Sequence, residues 1–155
     1  MAWLASSTVL RRSTQAQDRL KSAMTTHRIN LRGPWDYQFD GNLSGTEAMP
    51  REWRALFGDR AGTATFRRKF HRPTNLDPHE RVLIVFTEVG GSGRVSINGK
   101  QVDEFSAEGE LVEIEITAFL KPFNELAVEL KFDPHFDAHQ QGGLYGVTAL
   151  EIRSD

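Results

Sequence analysis

From Ile29 onward, apolar and polar positions alternate with a period of two along most of the chain, the signature of half-buried β-strands. Trp35, Tyr37 and Phe39 alternate with Asp36, Gln38 and Asp40, and Gly41-Asn42 ends that strand. Thr63 to His71 places Ala64, Phe66 and Phe70 on one face. Arg68 shares that face, so it is either buried against a carboxylate or moved out by a twist or bulge. Val82-Leu83-Ile84-Val85-Phe86 is an unbroken apolar run and reads as a strand covered on both faces, at the centre of a sheet. Gly90-Gly91-Ser92-Gly93 stops it. Val95 and Ile97 then lead into Asn98-Gly99, the strongest short hairpin signal, because both central turn residues need positive φ.

Val112, Ile114 and Ile116 form the next alternating set, and Ala118 to Pro122 is a turn. Leu126, Val128, Leu130 and Phe132 follow, with a last strand over Val147 to Arg153. No 3.6-residue period is sustained and no internal repeat is present. The pattern predicts an all-β protein: an antiparallel sandwich of about eight strands, of jelly-roll type. Two long polar segments interrupt it. Residues 41–62 read as a connection carrying Pro50, Trp53, Leu56 and Phe57, and Asp133 to Gly143 is rich in His, Asp and Gln. Loops this long in a compact domain are usually functional or pinned by their own aromatics.

The domain is assigned to residues 29–155, preceded by a tail over residues 1–28 that is helical or disordered. The tail is basic, with Arg11, Arg12, Arg19 and Lys21 against Asp18, so the overall charge of −2 hides an acidic body. An acidic body argues against nucleic acid as the main partner. No apolar stretch approaches the roughly 20 residues that span a bilayer, and no membrane partner is expected. The order of basic and apolar residues near the start does not fit a secretory signal. With cysteine absent, a cytoplasmic setting is favoured, and thiolate metal sites and cysteine nucleophiles are excluded.

Several motifs, in order, resemble the sugar-binding domain that opens glycoside hydrolase family 2 enzymes. Gly33-Pro34-Trp35 resembles its Gly-x-Trp strand, Pro50-Arg51-Glu52-Trp53 its Pro-x-x-Trp loop, and Phe66-Arg67-Arg68-Lys69-Phe70 its aromatic-Arg-Arg-x-Phe strand. Ile97-Asn98-Gly99-Lys100 matches its hairpin. Glu115-Ile116-Thr117 with Asn124-Glu125-Leu126-Ala127-Val128 follows the next pair of motifs, and Gly142-Gly143-Leu144-Tyr145 its closing motif. Glu115 replaces the family's Asp, and Gly146 stands where the family has Arg. The resemblance implies a galactose-binding-like jelly roll. It also implies a non-catalytic role, since the family's catalytic carboxylates lie on a separate (β/α)8 barrel.

The expected function is weak, non-catalytic carbohydrate binding through loops 41–62 and 133–145. The alternatives are a structural or interaction module without a working sugar site, or an accessory domain to a separately encoded glycosidase barrel; the possible protein partners are a second copy or that glycosidase. The assigned carbohydrate-binding residues are Trp53, Asp133, His135, Asp137, His139, Gln141 and Tyr145. Carboxylates and amides suit sugar hydroxyls, and aromatic planes suit the apolar face of a pyranose. Trp53 and Phe57 serve either as such planes or as a plug for the open end of the sandwich. The His and Asp residues of the 133–141 loop also have the donor types for a divalent metal, but nothing fixes their geometry; no metal and no cofactor is assigned. Arg67 and Arg68 are expected to pair with Glu113, Glu115 or Glu129. The Glu113/Glu115 pair, roughly 7 Å apart on one strand face, lacks the cleft and burial that acid catalysis needs.

Overall fold

A computed structural model describes residues 26–136 and 140–154. Among these are ten strands: β1 Thr26–Asn30, β2 Trp35–Phe39, β3 Leu43–Glu47, β4 Gly62–His71, β5 Glu80–Phe86, β6 Gly90–Ile97, β7 Lys100–Glu108, β8 Val112–Glu115, β9 Phe123–Phe132 and β10 Thr148–Ser154. One short α-helix, α1, spans Trp53–Phe57, and a single 3-10 turn covers Thr117–Phe119. All strand pairs are antiparallel, in a four-stranded sheet of order β1-β10-β5-β8 and a six-stranded sheet of order β3-β2-β4-β9-β6-β7. The fold is an antiparallel β-sandwich. The expected tail over residues 1–28 lies outside the described residues up to residue 25, and β1 begins three residues before the expected domain start.

Two of the ten strands were not foreseen as such. The connection over residues 41–62 contains β3, which pairs with β2 in full register, and then α1. The alternation that marks a strand is weak in Leu-Ser-Gly-Thr-Glu because β3 is the edge of its sheet, with no residue fully buried. β1 is likewise an edge strand, exposed along its length.

The longest pairing is β4 with β9, ten residues without a register shift. It sets Ala64, Phe66 and Phe70 beside Leu126, Val128 and Leu130, all buried. The facing sheet answers with Val82, Ile84 and Phe86 from β5 and Leu150 and Ile152 from β10. β5 is interior to its sheet, as its apolar run predicts. Its other face is buried too: Leu83 and Val85 are 6% and 1% exposed. In register, Leu83 lies between Glu151 and Glu115, and Val85 between Ala149 and Glu113.

That outer face carries a line of charge. Arg153 contacts Glu113 and, at 2.7 Å, Glu151, which also takes Arg28. Glu151 is 6% exposed. Burial pushes its pKa up, but hydrogen bonds from Arg153 and Arg28 outweigh this and hold it below its ordinary value. Arg81 reaches Glu115 at 3.4 Å on the same face; in the six-stranded sheet, Arg94 reaches Glu129 at 3.8 Å. The expectation that Arg67 and Arg68 take these carboxylates is therefore corrected. Glu113 and Glu115 lie in the four-stranded sheet, Arg67 and Arg68 in the six-stranded one, and Glu129 is taken by Arg94, relations that residue spacing does not reveal.

Asn98 and Gly99 both adopt positive φ, at 53° and 83°, as the hairpin requires. Asn98 does more than turn the chain. Its amide oxygen accepts from the Glu125 backbone N–H at 2.9 Å, and its amide nitrogen donates to Asn124 Oδ1 at 3.0 Å. The hairpin tip is thus tied to the start of β9.

Two stability outcomes follow. Trp53→Ala, which empties a fully buried site, is expected to lower unfolding free energy by about 3–5 kcal/mol in urea titration. Glu151→Gln is expected to cost about 2 kcal/mol at neutral pH, by loss of charged hydrogen bonds. Because the folded pKa is depressed, wild type holds this advantage above the ordinary value of 4.5 and loses it as pH falls through the lowered one. Thermal melts of both proteins across pH 3–7 check that the gap closes at the acid end.

Candidate functional site

The end of the sandwich bearing the 41–62 and 133–145 segments is built on an aromatic plug. Trp53 is fully buried, its indole N–H donates to the Arg60 carbonyl at 2.8 Å, and its ring packs edge-on against Phe39, Phe57 and Phe132. Phe57 stacks on Phe39 with centroids 4.5 Å apart. Trp53 is therefore corrected from a sugar platform to a core residue: an enclosed ring offers no face to a ligand. Of the two readings of these aromatics, the plug holds.

The closing segment is stitched over this plug by backbone bonds. Trp53 N–H donates to the Gly142 carbonyl at 2.9 Å, Arg51 N–H to that of Leu144 at 3.0 Å, and Gly143 and Gly90 exchange hydrogen bonds. The double glycine has a steric cause. A Cβ on Gly142 would overlap the Phe132 ring, and Gly143 sits at φ +81° against the Trp53 backbone. The 133–141 loop is held at both ends by one side chain, Arg54. Its guanidinium donates to the carbonyls of Pro134 at 3.1 Å and Gln140 at 3.0 Å, and it pairs with Asp59 at 3.3 Å. Sequence reasoning missed Arg54, because a partner 80 residues away leaves no trace in local spacing.

The assigned polar residues separate into three places. Asp133 and His135 stay together: the Asp133 carboxylate accepts from the His135 backbone N–H at 2.9 Å and lies 3.5 Å from its Nδ1. His135 also borders a shallow pit of about 360 Å3, walled by Asp40, Asn42, Leu43, Asp59 and Arg60. Arg60 covers the Phe39 ring at 5.2 Å. Phe136, beside His135, is 91% exposed. Gln141 instead reaches Glu52, at 3.3 Å. Tyr145 lies against Gly109 at the β7–β8 turn, where burial, with Glu88 and Glu110 adding, pushes its phenol above the usual pKa. Asp137 and His139 lie outside the described residues. Among the described residues no group of three or more His, Asp or Glu could hold a metal ion, and no helix is long and apolar enough to cross a membrane.

No protein-family model matches the chain. No curated protein matches it. Solved structures do. An FMN-binding β-glucuronidase from Faecalibacterium prausnitzii L2-6 superposes with a TM-score of 0.70 at 21% identity, over 83% of this chain and 23% of its own. A β-glucuronidase from an uncultured Clostridium sp. gives 0.69 at 15% identity, over 84% and 29%. A putative β-galactosidase from Bacteroides fragilis gives 0.67 at 21%, over 83% and 23%. The chain has the fold of a family 2 glycosidase domain. It spans less than a third of the length of each of these enzymes, so the likeness is to one domain-sized part of them. The motifs that carry the sequence resemblance are the ones that close this fold: the Asn-Gly hairpin, the Trp53 plug and the double glycine.

Arg54→Ala is expected to release the 133–141 loop while costing about 1–2 kcal/mol of stability. Amide hydrogen exchange checks this. Exchange at Phe136 and Gln140 rises relative to amides of β4 and β9.

Proposed function

We propose that this domain binds carbohydrate without catalysing a reaction, at the loop end of the sandwich. The observation that carries the reading is the pit bordered by Asp40, Asn42, Asp59, Arg60 and His135. These are polar side chains with acceptors and donors that match vicinal hydroxyls. Asp59 and His135 are 73% and 72% exposed, so they meet a ligand without rearranging the core. Phe136 supplies the exposed ring that the enclosed Trp53 cannot. Of the assigned pair, His135 borders this pit, while Asp133 accepts from its backbone N–H and Arg54 holds the carbonyl of Pro134 between them. Gln141 and Tyr145 do not border it; they meet Glu52 and the β7–β8 turn instead. A pit this shallow encloses little of a ligand, and binding is expected to be weak.

The described residues contain no (β/α)8 barrel, and no pair of carboxylates sits in an enclosed cleft. Binding is the whole of the proposed role for this domain. The second reading, an accessory domain working beside a glycosidase barrel, is favoured by one observation: the enzymes that share this fold hold it as 18–29% of their length.

Titration with a panel of mono- and oligosaccharides, followed by amide NMR, tests the carbohydrate reading. Shifts centred on Asn42, Asp59 and His135 are expected, reduced severalfold by His135→Ala. No movement of these resonances at tens of millimolar sugar overturns the carbohydrate reading.

A further inference from the structure

The two sheets differ on the faces they turn away from the core. On the six-stranded sheet, Gln38, Thr65, Glu129, Arg94 and Glu104 lie side by side from β2 to β7, and none of them is buried. That is the pattern of a solvated face. On the four-stranded sheet, the interior strands β5 and β10 turn Leu83, Val85, Ala149 and Glu151 outward, apart from the main core, and all four are buried. Only the rim is open: Arg28 on β1 and Glu113 and Glu115 on β8 are exposed.

Two alanines measure the difference. Ala127 stands on the outer face of β9 between Arg67 and Ser96, and is partly exposed. Ala149 stands on the outer face of β10 between Asn30 and Val85, and has 0% of its surface exposed. Asn30 and Val85 are too short to lie across it, and Arg28, Arg81 and Arg153 are drawn to the carboxylates of Glu151, Glu115 and Glu113. A closed alanine on the outside of a sheet has something above it. The described elements are the two sheets, α1 in the loop-end plug and the 3-10 turn after β8, and they supply no third layer.

One segment is placed to do so. Residues 1–25 lead directly into β1, the edge of this same sheet. Even at the 1.5 Å per residue of a helix they reach about 37 Å, whereas β5 lies two strand spacings, about 10 Å, from β1. They carry Trp3, Leu4, Val9, Leu10, Leu20 and Met24, apolar side chains that gain by burial. Their charge is complementary as well. Arg11, Arg12, Arg19 and Lys21 against Asp18 give +3, which leaves −5 of the overall −2 on the rest of the chain.

We propose that residues 1–25 fold back from β1 as a third layer on the outer face of the four-stranded sheet, with apolar side chains over Leu83, Val85 and Ala149 and basic ones towards Glu113 and Glu115. The surface is separate from the carbohydrate pit and does not depend on it.

The chain has no cysteine, so a nitroxide attached through Ser13→Cys reports from one place in the full chain. It is expected to broaden the methyl signals of Leu83, Val85 and Ala149 severalfold more than that of Ala127. Equal broadening of the two alanines, or none, overturns the proposal. Mixing spin-labelled chains without isotopes and unlabelled, isotope-enriched chains is expected to leave the Leu83 and Val85 signals sharp. Broadening in that mixture gives the face to a second copy and overturns the proposal too. Leu20→Asp is expected to shift the Leu83 and Val85 methyls and lower the melting temperature, with the Asn42 and His135 amides unmoved. Unmoved Leu83 and Val85 signals in both this variant and Val9→Asp sink the third layer.

Discussion

The ten-residue ladder between β4 and β9 sets the positions of everything that matters for recognition. It runs through the middle of the six-stranded sheet, with β2 outside β4 and β6 outside β9. Its Gly62/Phe132 end meets the aromatic plug, and its His71/Phe123 end carries the exposed Phe123. Strands of this length rise about 3.4 Å per residue, so the two ends are separated by the full height of the sandwich. A ligand at one end does not touch the other.

Around this ladder, polar side chains are used mainly to finish backbone hydrogen bonding where the strands stop. Asn98 and Asn124 complete the turns at the start of β9. Arg54 collects two carbonyls of the closing loop. Thr117 receives the Val82 N–H at 2.9 Å beyond the end of β8. Buried backbone groups must be paired, and a sandwich whose strands end at different heights leaves many of them for side chains. Arg68 fits the same pattern, its guanidinium donating to the Lys69 carbonyl with no bulge in the β4–β9 register.

Much of the fold is legible in the chain. The alternation of Trp35, Phe39, Phe66, Leu126, Val128 and Leu130 identifies their strands and their inward faces, because the side-chain period of a strand is two regardless of what packs on it. The Val82–Phe86 run announces an interior strand, and Asn98-Gly99 announces a turn through a backbone requirement that few residue pairs meet. The edge strands β1 and β3 are less legible, since a strand with neither face buried has no reason to alternate.

The candidate sites divide the same way. That Asp133 and His135 stay together is local: they are two residues apart in a tight turn. The fate of Trp53 is not local, because an aromatic in a polar segment serves equally as a plug or a platform until the neighbours Phe39, Phe57 and Phe132 are in place. The partners of Arg54 and Glu113 are decided by which strands lie side by side and which sheet each joins. Sequence by itself determined the strands, their inward faces and the hairpin, all consequences of short-range periodicity. Only the tertiary structure decided which charges meet, which aromatics are enclosed and where the surface stays open, because those depend on contacts between residues far apart in the chain.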